Sequence, residues 1–298
     1  MSTVSGTDRD VATRPGRRAP DGGPAGAPRT PRPPRTSLAD AWRSGLLQAA
    51  GMAALAGATA RQALRRPWSW VGDCAEQAEI LVVRCTLPLA LAVFAFGFGT
   101  IGVQAGLVFD ALGGVDRTGG IFVTGSVREL ATWATAMVVA GVGGTAICAD
   151  LGARRVREEL DALEVIGVDP IRSLVVPRVV ALAIVTPLLT LVAVLFCTIA
   201  GICAVLVLYD TTVPSFAATF KANFATPDLY GSLLKTLIFG VIIAVVCCYK
   251  GLHASGGAQG VGRAVNQAVV IAFVVLWIFN YAFTSLLLAS FPELQALR

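Results

Sequence analysis

Residues 174–208 read LVVPRVVALAIVTPLLTLVAVLFCTIAGICAVLVL, a run in which Arg178 is the only charged side chain. About 20 consecutive apolar residues are enough for an α-helix to cross the hydrocarbon core of a bilayer. This run is longer, so we expect its helix to tilt or to begin outside the hydrocarbon. Within lipid the segment must be helical, because its backbone N–H and C=O groups find no water to bind.

Four further apolar runs have a suitable length, at residues 85–108, 129–149, 232–249 and 268–291. The composition of the whole chain agrees with them, since 55% of the residues are hydrophobic and 14% are charged. A soluble domain carries about a quarter charged residues. The sequence therefore predicts an all-α membrane protein with about five transmembrane helices, and it excludes a soluble enzyme.

Two segments precede the transmembrane domain, which we place at residues 71–298. Residues 1–37 are rich in proline and arginine and poor in large apolar side chains, which predicts a disordered cytoplasmic tail. Residues 38–70 have apolar side chains at helical spacing and end with two tryptophans. This pattern predicts an amphipathic helix at the cytoplasmic membrane interface. The alternative is a short helix without lipid contact.

The basic residues predict the orientation. They are concentrated in the N-terminal tail and in the loops at 150–178 and 250–265, whereas the other loops carry few. Because cytoplasmic loops carry an excess of lysine and arginine, the tail and both loops are expected in the cytoplasm. With five spans, the N-terminus is then cytoplasmic and the C-terminus lies outside.

Glycine-rich segments within this chain resemble nucleotide-binding motifs only by their letters. Residues 97–102, GFGTIG, match GxGxxG, but they interrupt a transmembrane run instead of following a strand. No GxxxxGK[ST] motif occurs, so ATP chemistry requires another polypeptide. We expect the glycines to permit close helix packing instead, at these positions: Gly102, Gly106, Gly141, Gly143 and Gly144.

Other binding chemistries have little support in the sequence. The chain has one histidine and no cluster of cysteine and histidine, so we expect no metal site. The net charge of +5 fits a membrane surface better than nucleic acid, because it accompanies apolar spans.

The loop after the second span contains a charged segment with a narrow apolar stripe. Val156, Leu160, Leu163 and Gly167 lie at positions i, i+4, i+7 and i+11, which predicts a short amphipathic helix at 153–167. Gly167 suits the position just after its C-terminus. The opposite face is acidic. From the residues alone, this helix either presents a solvated face or docks into a groove of another protein.

A charge pair, Arg128 and Glu129, lies at the outer end of the second span. Adjacent helical residues point about 100° apart, so the two do not simply neutralise each other. Because an unpaired charge at membrane depth is costly, each needs a partner on another helix. Lys235 is a candidate partner for Glu129, and Asp210 or Asp228 for Arg128. The pair is either a structural clamp or part of a substrate site.

Several motifs together resemble the MlaE/YrbE permeases over roughly residues 60–290. The resemblance rests on VREL at 127–130, AGVGGTA at 140–146, ADLG at 149–152, EELDALEVIGVDP at 158–170 and GGAQGVGRAV at 256–265. The sequence of residues 147–154 is most similar to actinobacterial YrbE proteins of Mce systems. Within the pair of permeases of such a system, it resembles the A-type member. Val142 and Ala131-Thr132 depart from the family pattern, which puts lipid-contacting residues of the second span in doubt.

The resemblance implies the permease subunit of an ABC transporter that moves sterols, fatty acids or related lipids across the inner (plasma) membrane. It implies a heterodimer with a second YrbE-type permease, cytoplasmic ATPase subunits that hydrolyse ATP, and a hexamer of MCE-domain proteins. It implies no catalytic residue, and no cofactor bound by this chain. The 153–167 helix becomes the ATPase-coupling helix, with these residues: Arg157, Glu158, Glu159, Asp161, Ala162, Leu163 and Gly167.

Two other functions compete with this one. An ion-coupled secondary transporter would use Arg128 and Glu129 as a charge relay, and it requires ionisable residues near the bilayer midplane. A membrane-embedded lipid-modifying enzyme would require a nucleophile–base pair or metal ligands at membrane depth. The sequence offers little for either.

Overall fold

A computed structural model describes residues 38–65, 70–209 and 212–291. The predicted tail, Trp68 and Asp210 lie outside these ranges. Residues 38–44 are helical, and the described residues from Gly45 onward form a compact unit of their own.

The described residues form helices joined by short connections, with no strand among them. We number the helices in chain order: α1 Leu38–Arg65, α2 Val71–Ala111, α3 Thr118–Val156, α4 Glu159–Val165, α5 Ile171–Leu208, α6 Val213–Asn223, α7 Thr226–Leu252 and α8 Gly257–Ser290.

Five of these helices, α2, α3, α5, α7 and α8, are long and apolar enough to cross a membrane. The predicted fold class and number of spans are therefore confirmed. Each helix extends beyond the apolar run that predicted it, because polar residues at its ends continue the helical backbone. α2, for example, begins at Val71, well before the run at 85–108.

α5 lies at the centre of the bundle, where it packs against α2 and α7, and α7 also packs against α3 and α8. Small residues allow the close approach. At Gly240 of α7, an added Cβ would meet the backbone carbonyl of Leu182 on α5. Hydroxyl groups in this core donate to carbonyl oxygens one turn earlier, as Thr186 Oγ1 does to Leu182 O at 2.6 Å. These buried hydroxyl groups are therefore hydrogen-bonded without water.

Three of the spanning helices contain wide, π-helical turns. These turns cover Gly97–Ala105 in α2, Val123–Leu130 and Val139–Gly144 in α3, and Ile171–Val175 in α5. Each such turn inserts extra backbone and changes which face the following side chains occupy, and such turns are frequent at functional sites. Arg128 and Glu129 lie in the first of the two turns in α3.

Residues 45–65 of α1 pack against one end of the bundle. Leu55 is buried there, and Lys250 Nζ of α7 donates to Gln48 Oε1 at 2.6 Å. Gln62 Nε2 donates to Asp169 Oδ2 at 2.6 Å, in the connection between α4 and α5. We call this end, which contains residues 150–178 and 250–257, the basic end. The charge pair of α3 lies at the opposite end.

Candidate functional site

Arg128 of α3 pairs with Asp228, in the first turn of α7. Arg128 Nε donates to Asp228 Oδ1 at 2.5 Å and its Nη2 donates to Oδ2 at 3.3 Å. The Asp228 side chain is fully buried and that of Arg128 is 12% exposed. Asp228 Oδ2 also accepts from the backbone N–H of Ala225 at 3.0 Å. The carboxylate thus links the start of α7 to α3.

Glu129 binds side chains from two other helices. Lys235 Nζ of α7 donates to Glu129 Oε1 at 3.2 Å, and so does Thr284 Oγ1 of α8 at 2.9 Å. Asn280 Nδ2 donates to the other carboxylate oxygen at 3.1 Å. Arg128 and Glu129, which are adjacent in α3, therefore form ion pairs with different residues of α7, namely Asp228 and Lys235. These pairs match two of the partners proposed from the sequence.

The two pairs line a cavity of about 420 Å³ at this end of the bundle. Its wall combines charged and hydroxyl side chains with two leucines of α8. The lining residues are Thr124, Arg128, Glu129, Asp228, Gly231, Ser232, Lys235, Thr284, Leu287 and Leu288. A site of this kind suits a molecule with a polar group and an apolar tail. Among the described residues, no group of histidine, cysteine, aspartate and glutamate is arranged to hold a metal ion.

Asn280 and Thr284 are part of the cluster, although neither was among the residues predicted from the sequence. They lie four residues apart on α8, so they share one helix face. Two polar residues at this spacing in an otherwise apolar span are a signal that could have found them, since such residues face the interior of a bundle.

The predicted helix at 153–167 is wrong in one respect, because it is broken. α3 ends at Val156, Glu158 adopts a left-handed backbone with φ 59°, and α4 begins at Glu159. A continuous helix would carry Leu160 away from the bundle, whereas the break turns Leu160 back into a buried position. Burying a leucine side chain contributes about 2 kcal/mol. That gain exceeds the cost of about 1 kcal/mol for a left-handed non-glycine residue.

Ion pairs hold the broken segment in place. Arg154 Nη1 lies 3.7 Å from Glu159 Oε2, Arg155 Nη1 lies 2.5 Å from Asp161 Oδ1, and Arg157 Nε lies 2.7 Å from Glu159 Oε1. The expected acidic face is therefore largely neutralised by the arginines that precede it. Because these groups are solvent-exposed, each pair contributes little stability.

The far side of α4 presents apolar side chains to solvent. Val165 is 87% exposed and Ile166 is 71% exposed, whereas Leu163 is half-buried and Ala162 is exposed. Gly167 ends the segment with φ 80°, and the backbone N–H of Val168 donates to Leu163 O at 2.9 Å. Two exposed branched residues at the tip of a loop can insert into a groove of another protein.

The glycines singled out in the spans have different surroundings. At Gly102 an added Cβ would meet the Cβ of Ala204, and at Gly106 it would meet the ring of Tyr209. At Gly143 it would lie 2.6 Å from Leu81 Cδ2, and at Gly144 it would lie 2.8 Å from Cys247 Sγ. Gly141 differs, because a Cβ there would meet nothing within 4 Å. No close helix packing occurs at Gly141 within the described chain.

Comparison with known proteins adds the family. Residues 74–286 match the family model described as permease MlaE. A probable ABC transporter permease protein of Synechocystis is 35% identical over 198 residues, which are 65% of this chain and 75% of the relative. One of Rickettsia prowazekii is 30% identical over 201 residues, 67% of this chain and 78% of the relative.

A plant protein is also similar. TRIGALACTOSYLDIACYLGLYCEROL 1 of the Arabidopsis thaliana chloroplast is 34% identical over 181 residues, which are 59% of this chain and 51% of that protein. The family match covers three spans completely and nearly all of the first and last, and it includes both charge pairs and the broken loop. The chain therefore belongs to the MlaE permease family, and it is a multi-pass, non-catalytic membrane subunit of an ABC transporter whose ATP is hydrolysed by a partner.

Proposed function

We propose that this permease moves a lipid across the inner (plasma) membrane as part of an Mce-type transporter. The observation that carries this proposal is the cavity beside Arg128 and Lys235, which combines buried charges with an apolar wall. A polar headgroup would lie against the charges and an acyl chain or sterol body against Leu287 and Leu288. One relative is named after trigalactosyldiacylglycerol, a lipid. Sterols, fatty acids and related lipids are the proposed substrates.

The proposed complex contains a second YrbE-type permease, cytoplasmic ATPase subunits and a hexamer of MCE-domain proteins. A cavity of about 420 Å³ accommodates a headgroup but is small for a whole lipid. A second permease against this one would extend the site. The ABC family also favours energy from ATP over the alternative of ion coupling through Arg128 and Glu129.

The coupling step would run along α3. This helix carries the charge pairs near one end and joins the α4 loop at the other. An ATPase that pushes on residues 157–167 would therefore move α3 as a unit. Movement of α3 relative to α7 would alter the Arg128–Asp228 and Glu129–Lys235 pairs, and with them the shape of the cavity.

Reversal of the acidic charges on the loop tests this coupling. We expect the triple change Glu158→Lys, Glu159→Lys and Asp161→Lys to reduce ATPase co-purification about tenfold or more, because it breaks the ion pairs that hold the loop in place and leaves the loop strongly basic. Lipid uptake by cells should fall in parallel. Co-purification with the ATPase and uptake of a labelled sterol or fatty acid provide the two measurements.

A matched control uses three exposed acidic residues of α2. Asp73→Lys, Glu76→Lys and Glu79→Lys make the same change of net charge outside the α4 loop. This control should keep the ATPase bound. The coupling role would be refuted if the loop variant retained both ATPase association and uptake.

Orientation has a separate test. With the basic end in the cytoplasm, a cysteine introduced at exposed Ile166 should react with a membrane-impermeant maleimide only after the cells are permeabilised. A cysteine in place of exposed Arg117, between α2 and α3, should react in intact cells. Labelling of Ile166→Cys in intact cells would place the loop outside and remove the ATPase from it.

A further inference from the structure

A second cavity lies at the basic end, far along α3 from the charge pairs. It has a volume of about 310 Å³ and opens between α2, α3 and α5. Three arginines line it, one from each helix: Arg84, Arg154 and Arg178. Asp150 is the single acidic residue in its wall. Positive charge therefore exceeds negative charge inside this space.

Asp150 neutralises only part of that charge. Its Oδ2 accepts from Arg178 Nη2 at 2.5 Å, and the same carboxylate lies 3.3 Å from Arg154 Nε. Arg178 also donates to the carbonyl of Leu174 at 2.8 Å, so its 7%-exposed side chain is held rigidly. Asp150 thus contacts two guanidinium groups, and Arg154 Nη1 also lies 3.7 Å from Glu159 Oε2, outside the cavity wall.

Arg84 adds a further positive charge to this cavity. Its side chain is exposed on α2, and no acidic side chain of the described residues lies within ion-pair distance of it. Gln77 and Leu81 lie on the same face of α2 and line the same cavity. Close packing holds this face next to α3, because an added Cβ at Gly143 would lie 2.6 Å from Leu81 Cδ2.

The cavity lies where the hydrocarbon core of the membrane ends. Arg84 comes immediately before the apolar run at 85–108, and Asp150 comes immediately after the run at 129–149. An arginine near the end of a spanning helix extends its charge toward the headgroup region. A phosphate group of a lipid headgroup lies at the same depth, and guanidinium groups bind phosphate oxygens in a bidentate manner. Basic pockets between transmembrane helices on the cytoplasmic side bind anionic headgroups.

We propose that the cavity formed by Arg84, Arg154 and Arg178 binds the phosphate of an anionic membrane lipid from the leaflet at the basic end. The site is separate from the cavity at the opposite end and does not depend on what that cavity transports. Arg178 and Asp150 form the rigid floor. Arg84 supplies the charge that the protein itself leaves unbalanced, and it stands at the mouth that faces the lipid.

Lipid retention by the full-length permease tests the proposal. The protein is extracted in detergent with any subunits that accompany it, mixed with phosphatidylglycerol or phosphatidylcholine, and analysed by native mass spectrometry. Wild-type protein should retain phosphatidylglycerol in preference to phosphatidylcholine. Arg84→Gln should weaken that retention about fivefold, which is the effect of one basic residue near an anionic lipid. Arg84→Lys should lose less than Arg84→Gln.

The matched control is Arg117→Gln, an exposed arginine outside the cavity, which should retain phosphatidylglycerol like wild type. Equal retention by Arg84→Gln and wild type would overturn the proposal, as would equal retention of the two lipids. Inorganic phosphate and ATP are added separately as competitors. If either displaces phosphatidylglycerol at the same concentration as a soluble short-chain phosphatidylglycerol does, the site binds a soluble phosphate and not a membrane lipid.

Discussion

Asp228→Asn is expected to destabilise the protein by about 3 kcal/mol, because it removes the buried negative charge that accepts from Nε and Nη2 of Arg128. Asparagine has nearly the shape of aspartate, so the loss would come from the charge and not from a cavity. The Asp228 side chain is fully buried, which removes compensation by water. Thermal unfolding of the purified protein in detergent, compared with wild type, measures the effect.

Two further variants serve as controls for Asp228→Asn. Asp73→Asn, at an exposed position in the first turn of α2, should change stability by less than about 0.5 kcal/mol. The double variant Arg128→Met with Asp228→Leu should return close to wild-type stability, because apolar residues of similar volume often replace a buried ion pair without loss. Wild-type stability of Asp228→Asn would show that the pair does not hold α3 to α7.

The double variant also separates the two interpretations of the charge pair. If the pair is only a clamp between α3 and α7, a stable double variant should retain lipid uptake. If the charges contact the substrate, the double variant should fold normally and transport poorly. We expect the second outcome, because Arg128 remains 12% exposed and lines the cavity.

Gly240→Ala is expected to destabilise the protein by about 1–3 kcal/mol, the usual cost of overpacking a well-packed core. The added Cβ would meet the carbonyl oxygen of Leu182 and lie 2.7 Å from Thr186 Oγ1. A backbone carbonyl cannot rotate away as a side chain can, so α5 and α7 would have to separate. The amount of folded protein in the membrane and its unfolding temperature in detergent should both fall.

Gly141→Ala is the matched control, since it makes the same substitution inside a spanning helix. Nothing lies within 4 Å of the added Cβ there, and alanine is the better helix former by up to about 1 kcal/mol. This variant should therefore be as stable as wild type or more stable. The argument from close packing fails if Gly240→Ala and Gly141→Ala shift stability in the same direction.

The partners of the charge pair illustrate how far sequence reasoning reaches. The need for a partner follows from the sequence, because charge at membrane depth is costly whatever its neighbours are. The pairing of Arg128 with Asp228 does not follow from the sequence, because it depends on where α7 begins relative to α3. Asn280 and Thr284 became visible as partners of Glu129 only once α8 was placed beside α3.

The break in the loop after α3 was not predicted from the sequence. Its apolar spacing predicts a helix, yet the chain breaks at Glu158 in a backbone conformation that local preference disfavours. Burial of Leu160 outweighs that preference, and it depends on how α4 folds back. The spacing of apolar residues predicts a helix, but it does not predict that the chain changes direction between two of those residues.

The sequence by itself determined that this protein crosses a membrane with five helices, because apolar length is a local property that any segment carries alone. It also determined the family, because the motifs at 127–130 and 158–170 are contiguous. Only the tertiary structure decided which charges pair, which glycines touch a neighbouring backbone and where Arg84, Arg154 and Arg178 meet. These are contacts between helices far apart in the chain, and their register depends on the packing of the whole bundle.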